Sequence, residues 1–197
     1  MKTALKEWAV VIEAMAAGHQ IFLLRKGGIA ETSPGFEPGL QPAHREFLAF
    51  PTWEHQHLDS VRPEFHSLFS NIAEPNPENL EIRYMGRVTD VLTAPRSRPE
   101  IDHLNPRHIW TANYVDKRYE YRSDSPLFVV IVRLFRLREP HIIPLDPRYA
   151  GCRSWVELSE DAPTDALEPV LDDVAFDLHR NQLRSHLLRN ESTGELS

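Results

Sequence analysis

The segment from Thr3 to Arg25, TALKEWAVVIEAMAAGHQIFLLR, decides how the rest of the chain is read. Leu5, Trp8, Ile12 and Met15 recur at helical spacing with Val11 beside them, and Thr3 stands where an N-cap oxygen is wanted. The spacing predicts a helix from about Ala4 to Ala17. Gly18 is placed to end it, because glycine takes the left-handed C′ conformation without a Cβ penalty. Gln20 to Arg25 then reads as a short apolar strand. A hairpin of two strands is the competing reading, since Ala9 to Ile12 also suits a buried strand.

Outward from this helix-turn-strand unit, residues 26–46 carry Gly27, Gly28, Pro34, Gly35, Pro38, Gly39 and Pro42, a density of breakers that predicts a long loop. Phe47 to Phe50 reads as a strand stopped by Pro51, followed by a helix carrying Phe65, Leu68 and Phe69. Leu80, Ile82, Tyr84, Val88 and Leu92 alternate as in a long, bent strand with Gly86 as its bulge. Ile109, Trp110, Tyr114 and Val115 fit a helix. Leu127 to Leu137, rich in β-branched residues, is the strongest strand and should lie centrally. A turn or short strand is expected within residues 152–158, and Asp161 before Pro163 signals C-terminal helices reaching Leu188. The expected fold is α+β: a mixed, barrel-like β-sheet flanked by helices, one domain over residues 3–189 with a frayed polar tail at 190–197.

The chain has 197 residues, 41% apolar and 26% charged, enough for one core. Its longest apolar run, Leu127 to Val132, is too short to span a bilayer, and no signal-peptide pattern opens the sequence, so a cytoplasmic location is expected. The single Cys152 excludes an intramolecular disulfide framework and a thiolate zinc cluster. A net charge of −7 argues against indiscriminate adhesion to polyanions. The average hides a split. Basic residues outnumber acids between Arg83 and Arg138, whereas Glu157 to Asp177 holds only acids.

Arg25-Lys26-Gly27-Gly28-Ile29-Ala30-Glu31 is the most distinctive local feature. Two cations end a strand and two glycines expose backbone N–H groups, a combination that can cradle a phosphate or carboxylate. It is not a P-loop, because no Lys-Ser/Thr pair follows at the required spacing. Glu46, Glu54, His55, His57 and His66 are the only concentration of histidine and carboxylate, which raises a metal or acid-base site as an alternative; no metal ligand set or cofactor is assigned. Glu54, His55 and Gln56 also suit hydrogen bonding at the mouth of a pocket. A nuclease core of the common metal-dependent type needs lysine two residues after a carboxylate. Glu81-Ile82-Arg83 and Glu120-Tyr121-Arg122 offer arginine there, which cannot act as a base.

Four blocks become informative together: Lys6-Glu7-Trp8-Ala9-Val10-Val11, Leu24-Arg25-Lys26-Gly27-Gly28-Ile29, Phe50-Pro51-Thr52-Trp53-Glu54-His55-Gln56 and Gly151-Cys152-Arg153-Ser154-Trp155. In this order they resemble the signature of a bacterial family, the domain of unknown function number 1802, over about residues 3 to 185. The resemblance implies no reaction. Members similar to this chain are fused to a restriction-endonuclease-like domain, which implies a role in restriction of foreign DNA. The opening unit is also similar, over some twenty-five residues, to the entry of ASCH and wider PUA-like barrels that bind RNA or read modified bases.

The functional expectation is therefore a non-enzymatic nucleic-acid-binding module linked to restriction or defence. DNA or RNA is its partner, with a restriction or modification enzyme as a second one. Arg25, Lys26, Gly27 and Gly28 would contact phosphate beside Glu31. Glu54, His55 and Gln56 would meet a base or other polar ligand, and Arg153 would add charge. The alternatives are a hydrolase using Glu54, His55 and His57, and a scaffold that binds partners through its acidic C-terminal helices.

Overall fold

The chain opens on a strand. The structure, a computed structural model, describes residues 1–26, 44–94, 104, 107–121, 124–151 and 153–191, the last four as backbone. Strand β1 (Thr3–Trp8) leads directly into helix α1 (Ala9–Ala16), so the helix expected from Ala4 is only its second half. Pairing on both sides overrides the local helical spacing: β1 lies parallel to β3 (Glu46–Thr52) and antiparallel to β6 (Trp155–Glu157). Ala4 and Leu5 are both buried because the two faces of the sheet each carry a core. Helix α1 buries Ala9, Val10, Val11, Ile12, Ala14 and Met15, nearly its whole circumference.

Gly18 ends α1 as its sequence position predicts. Its φ is +75°, its N–H donates to Met15 O at 3.0 Å, and the His19 N–H reaches Ala14 O at 2.9 Å, the paired bonds of a Schellman turn. The turn delivers β2 (Phe22–Arg25) to the sheet, antiparallel to β5 (Phe128–Pro144).

The remaining elements are β4 (Asn79–Thr93), α2 (Ala112–Glu120), β5 (Phe128–Pro144), β7 (Leu167–Pro169) and α3 (Asp173–Glu191). The strands form one mixed sheet in the order β2-β5-β4-β3-β1-β6, with β7 paired to β5. The run at Leu127–Leu137 does seed an interior strand. β4 takes one edge of β5, and β2 and β7 follow one another along the other.

Several expectations are corrected. The sheet is not closed into a barrel: β2 and β6 stand at its two ends and do not pair. The segment around Phe65 is 3₁₀, at Leu58–Ser60 and Pro63–Asn71, rather than an α-helix. Trp110 precedes α2 and bridges Val61, and Thr111 caps the helix by accepting from the Tyr114 N–H at 3.4 Å. No helix starts at Asp161–Pro163. β7 intervenes, and α3 begins where Asp172 Oδ1 accepts from the Ala175 N–H at 2.8 Å. Helix α3 extends to Glu191, and the rest of the tail expected from Asn190 lies outside the described residues. The irregularities of β4 fall between Ile82 and Tyr84 and between Val88 and Asp90, not at Gly86. Gly86 instead makes room for a neighbour, since a Cβ there would lie 2.6 Å from Phe47 Cζ and 2.9 Å from Val132 Cγ1.

Two hydrophobic clusters result. The larger contains α1, β2, Phe47, Ala49, Tyr84 and the start of β5; the smaller contains Leu48, Phe50, Leu80, Met85 and Tyr149. Helix α3 adds Phe176, Leu183 and Leu187 to the larger one. It is fixed by Asp90, a 3% exposed carboxylate on β4 that takes hydrogen bonds from Arg180 and Arg184. Burial alone would raise the Asp90 pKa, but those bonds and one from Thr89 outweigh it and hold it below the usual value. Within the larger cluster His108 accepts from the Trp110 N–H at 3.2 Å, and burial with the Arg62 charge pushes its pKa down to about 4, so the ring is neutral.

Candidate functional site

The pairing between β3 and β4 is short. It covers Glu46↔Arg87, Phe47↔Gly86 and Leu48↔Met85 and then stops. Beyond that point Ala49–Thr52 stays with β1, while the Asn79–Tyr84 half of β4 stays with β5. The sheet therefore splits. The Val88 N–H donates to Arg45 O at 2.8 Å, so by alternation residues 45, 47, 49 and 51 direct their backbone groups toward β4. Pro51 places its missing N–H on that open side. This is why β3 runs through Pro51 to Thr52 instead of stopping at it.

Two clefts flank the split. The first, about 420 Å³, lies between Ala9, Ile12 and Glu13 of α1, Ala49 and Pro51 of β3, and Glu81, Arg83 and Tyr84 of β4. The second, about 480 Å³, is lined by Lys6, Phe50, Thr52, Glu54, Leu80 and Tyr149. Ala49 belongs to the larger core and Phe50 to the smaller, so the clefts open on opposite faces of the sheet. They share Pro51, Trp53, Asn76 and Asn79 as common walls. Asn76 shapes its own turn, its Oδ1 accepting from the Glu78 and Asn79 N–H groups at 2.8 and 3.1 Å.

Glu13 is the chemically pointed residue of the first cleft. Burial raises its pKa, against the pull of the Arg83 and Arg136 charges, and its carboxyl makes no hydrogen bond or ion pair among the described residues. Tyr84 beside it is likewise raised, by burial and then by the Glu13 charge. The Arg136 guanidinium lies 5.4 Å from the Tyr84 ring centre, and Arg83, 48% exposed, pairs with Glu81 at 2.9 Å. A half-buried indole, the carboxyls of Glu13, Glu74 and Glu81, asparagine amides and the Arg83 guanidinium thus meet in a space of small-molecule size.

The residues singled out from sequence are distributed differently. Arg25 points back into the fold: its Nη2 donates to Glu7 Oε2 at 2.7 Å and to Lys6 O at 2.9 Å, and the two side chains are 12% and 17% exposed. Lys26 is buried and donates to Tyr119 O, and burial, then the nearby Arg118 charge, lowers its pKa. Gln56 accepts from the Val10 N–H at 2.8 Å and so caps the start of α1 from a distant loop. Glu54 is exposed and lines the second cleft. His55 is exposed with φ +60°, and Arg153 is exposed. Gly27, Gly28, Glu31 and Cys152 lie outside the described residues.

His57 is exposed, Glu46 pairs with Arg87 at 2.8 Å, and His66 Nε2 lies 2.8 Å from Val61 O. Among the described residues no three His, Cys, Asp or Glu side chains are grouped as a cation would need. The four sequence blocks do share a neighbourhood at the C-terminal end of β1. Lys6 donates its N–H to Ser154 O at 2.8 Å and its Nζ to Gly151 O at 3.1 Å, Glu7 holds Arg25, and Gln56 holds α1.

Sequence reasoning missed Glu13, Arg83, Tyr84, Asn76 and Asn79. One signal was present, since Glu13 is the only charged residue in the apolar helix Ala9–Ala16. The others read as an ordinary strand and turn.

Fold and site together define an α+β domain with an open mixed sheet whose split carries a two-sided cleft. The chain belongs to the family described as Domain of unknown function (DUF1802), which it matches over residues 4–182. No curated protein and no solved structure matches it. Among the described residues no helix is long and apolar enough to cross a membrane.

Proposed function

We propose that the domain is a nucleic-acid-binding module, linked to restriction or defence, that takes an unpaired base into the first cleft. The observation that carries this is the unpartnered Glu13 carboxyl set in a space of about 420 Å³ walled by Trp53. An aromatic wall accepts the face of any base by stacking. A carboxyl and the Asn71, Asn76 and Asn79 side chains suit the hydrogen-bonding edge of that base. A net charge of −7 gives no general attraction to a polyanion, so recognition has to reside in a pocket rather than in a field.

On this reading Arg25 and Lys26 hold the end of β2 in place instead of meeting phosphate. Glu54, His55 and Arg153 remain available as outer contacts. DNA displaced during restriction or modification, with the enzyme that displaces it, is the setting the reading implies.

Fluorescence anisotropy with labelled single- and double-stranded DNA and RNA at low salt tests it. Single strands should bind, and Trp53→Ala should weaken them about 10- to 100-fold, the value of one stacked base. Absence of binding to every one of these probes would sink the proposal.

A further inference from the structure

The polar groups left open in the first cleft are of a particular kind, and the geometry points to guanine as the base it selects. This inference rests on the base-binding reading above and adds to it the identity of the base.

Acceptors come first. Glu13, Glu74 and Glu81 line the cleft, and Arg83 pairs with Glu81 at 2.9 Å. Among the described residues the Glu13 and Glu74 carboxyls make no hydrogen bond or ion pair. Glu74 is exposed, whereas Glu13 is half-buried on α1. A lining with this excess of negative charge repels phosphate, so the sugar and phosphate stay in solvent and the base alone enters.

Donors come second. Asn76 has its Oδ1 committed to the Glu78 and Asn79 N–H groups, which leaves its Nδ2 to donate. The Tyr84 hydroxyl makes no hydrogen bond among the described residues. Burial, then the Glu13 charge, raises its pKa, so it keeps its proton and is a donor as well.

The four standard bases meet this set differently. An ionised carboxylate accepts two hydrogen bonds from adjacent donors. Guanine sets N1–H and N2–H side by side on its pairing edge, with the O6 acceptor next to them for a hydroxyl or an amide. Adenine and cytosine place a single amino group beside a ring-nitrogen acceptor. Thymine and uracil flank their one N–H with two oxygens, which a carboxylate repels. The Trp53 wall takes the face of the ring, and about 420 Å³ is space for a purine.

Fluorescence anisotropy of the full chain with labelled single-stranded octamers, at neutral pH and low salt, is the test. One strand is all thymidine; the others carry one central guanine, hypoxanthine, adenine or cytosine. The guanine strand should bind about tenfold tighter than the all-thymidine strand, the value of one bidentate contact. Hypoxanthine lacks the 2-amino group and should lose most of that gain. Glu13→Gln offers one donor and one acceptor in place of two acceptors, so guanine and adenine should then differ by less than about twofold. Circular dichroism confirms that this variant folds. Equal affinity for all strands, preference for another base, or a guanine preference that survives Glu13→Gln overturns the selection of guanine while the base site stands. No binding of any strand by the folded protein removes both.

Discussion

Two regions of this molecule, both rich in charge, use it in opposite ways. At the end of β2, Arg25 is closed against Glu7 and the Lys6 carbonyl, and Lys26 is buried on Tyr119 O. At the split between β3 and β4, Glu13 sits half-buried without a close partner, and Arg83 is half in solvent. The first region spends its charges on holding the end of β2 to β1 and α2; the second leaves them facing space. A cluster of cations in a sequence shows where charge is needed, but only the packing shows whether the fold itself is what needs it.

Four substitutions test this contrast. The largest effect is expected from Arg25→Ala, which strands the nearly buried Glu7 carboxylate and should cost about 3 kcal/mol, measured as a lower urea midpoint. If Arg25 were instead a ligand contact, the midpoint would hold and nucleic-acid affinity would fall. Gly86→Ala forces a Cβ into Phe47 and Val132 next to the last β3–β4 pair. Overpacking of this kind costs about 2 kcal/mol, and a thermal melt no lower than that of the parent would refute the close fit. Gln56→Ala removes the remote cap from the Val10 N–H and should lose about 1 kcal/mol, visible in the same denaturation assay.

The smallest effect belongs to the open region and depends on pH. Burial raises the Glu13 pKa above its usual 4.5, so the native state holds this proton more tightly than the unfolded chain does. Stability therefore falls as pH rises through the window from 4.5 up to the raised native value. Glu13→Gln abolishes that slope. The variant should gain less than about 1 kcal/mol at neutral pH, because half-exposure screens the effect, and nothing in acid below the window. A parent and variant with parallel pH profiles of the urea midpoint would contradict it.

The parts of the fold readable from the sequence were those whose signal is local. Gly18 ended its helix because a left-handed residue was required there, and the β-branched run at Leu127–Leu137 became an interior strand. The parts that misled depend on distant partners. Leu5 and Trp8 keep helical spacing, yet β3 and β6 draw them into a sheet. Pro51 reads as a stop until one knows which edge of β3 is open. The candidate site was hidden for the same reason. Glu13, Trp53, Asn76 and Arg83 come from four separate stretches and meet only because two strands part company.

One consequence of the topology concerns the order in which the chain can assemble. β1 lies inside the sheet, pairing Leu5 with Ala49 on one side and with Trp155 on the other. As the polypeptide leaves the ribosome, β1 appears before either neighbour, and its second partner arrives only after β5 has been made. Until then one side of the strand has no β6 to cover it, an invitation to intermolecular pairing. Lys6 and Glu7 place charges of opposite sign on that waiting strand, the kind of side chain that discourages pairing along an open edge.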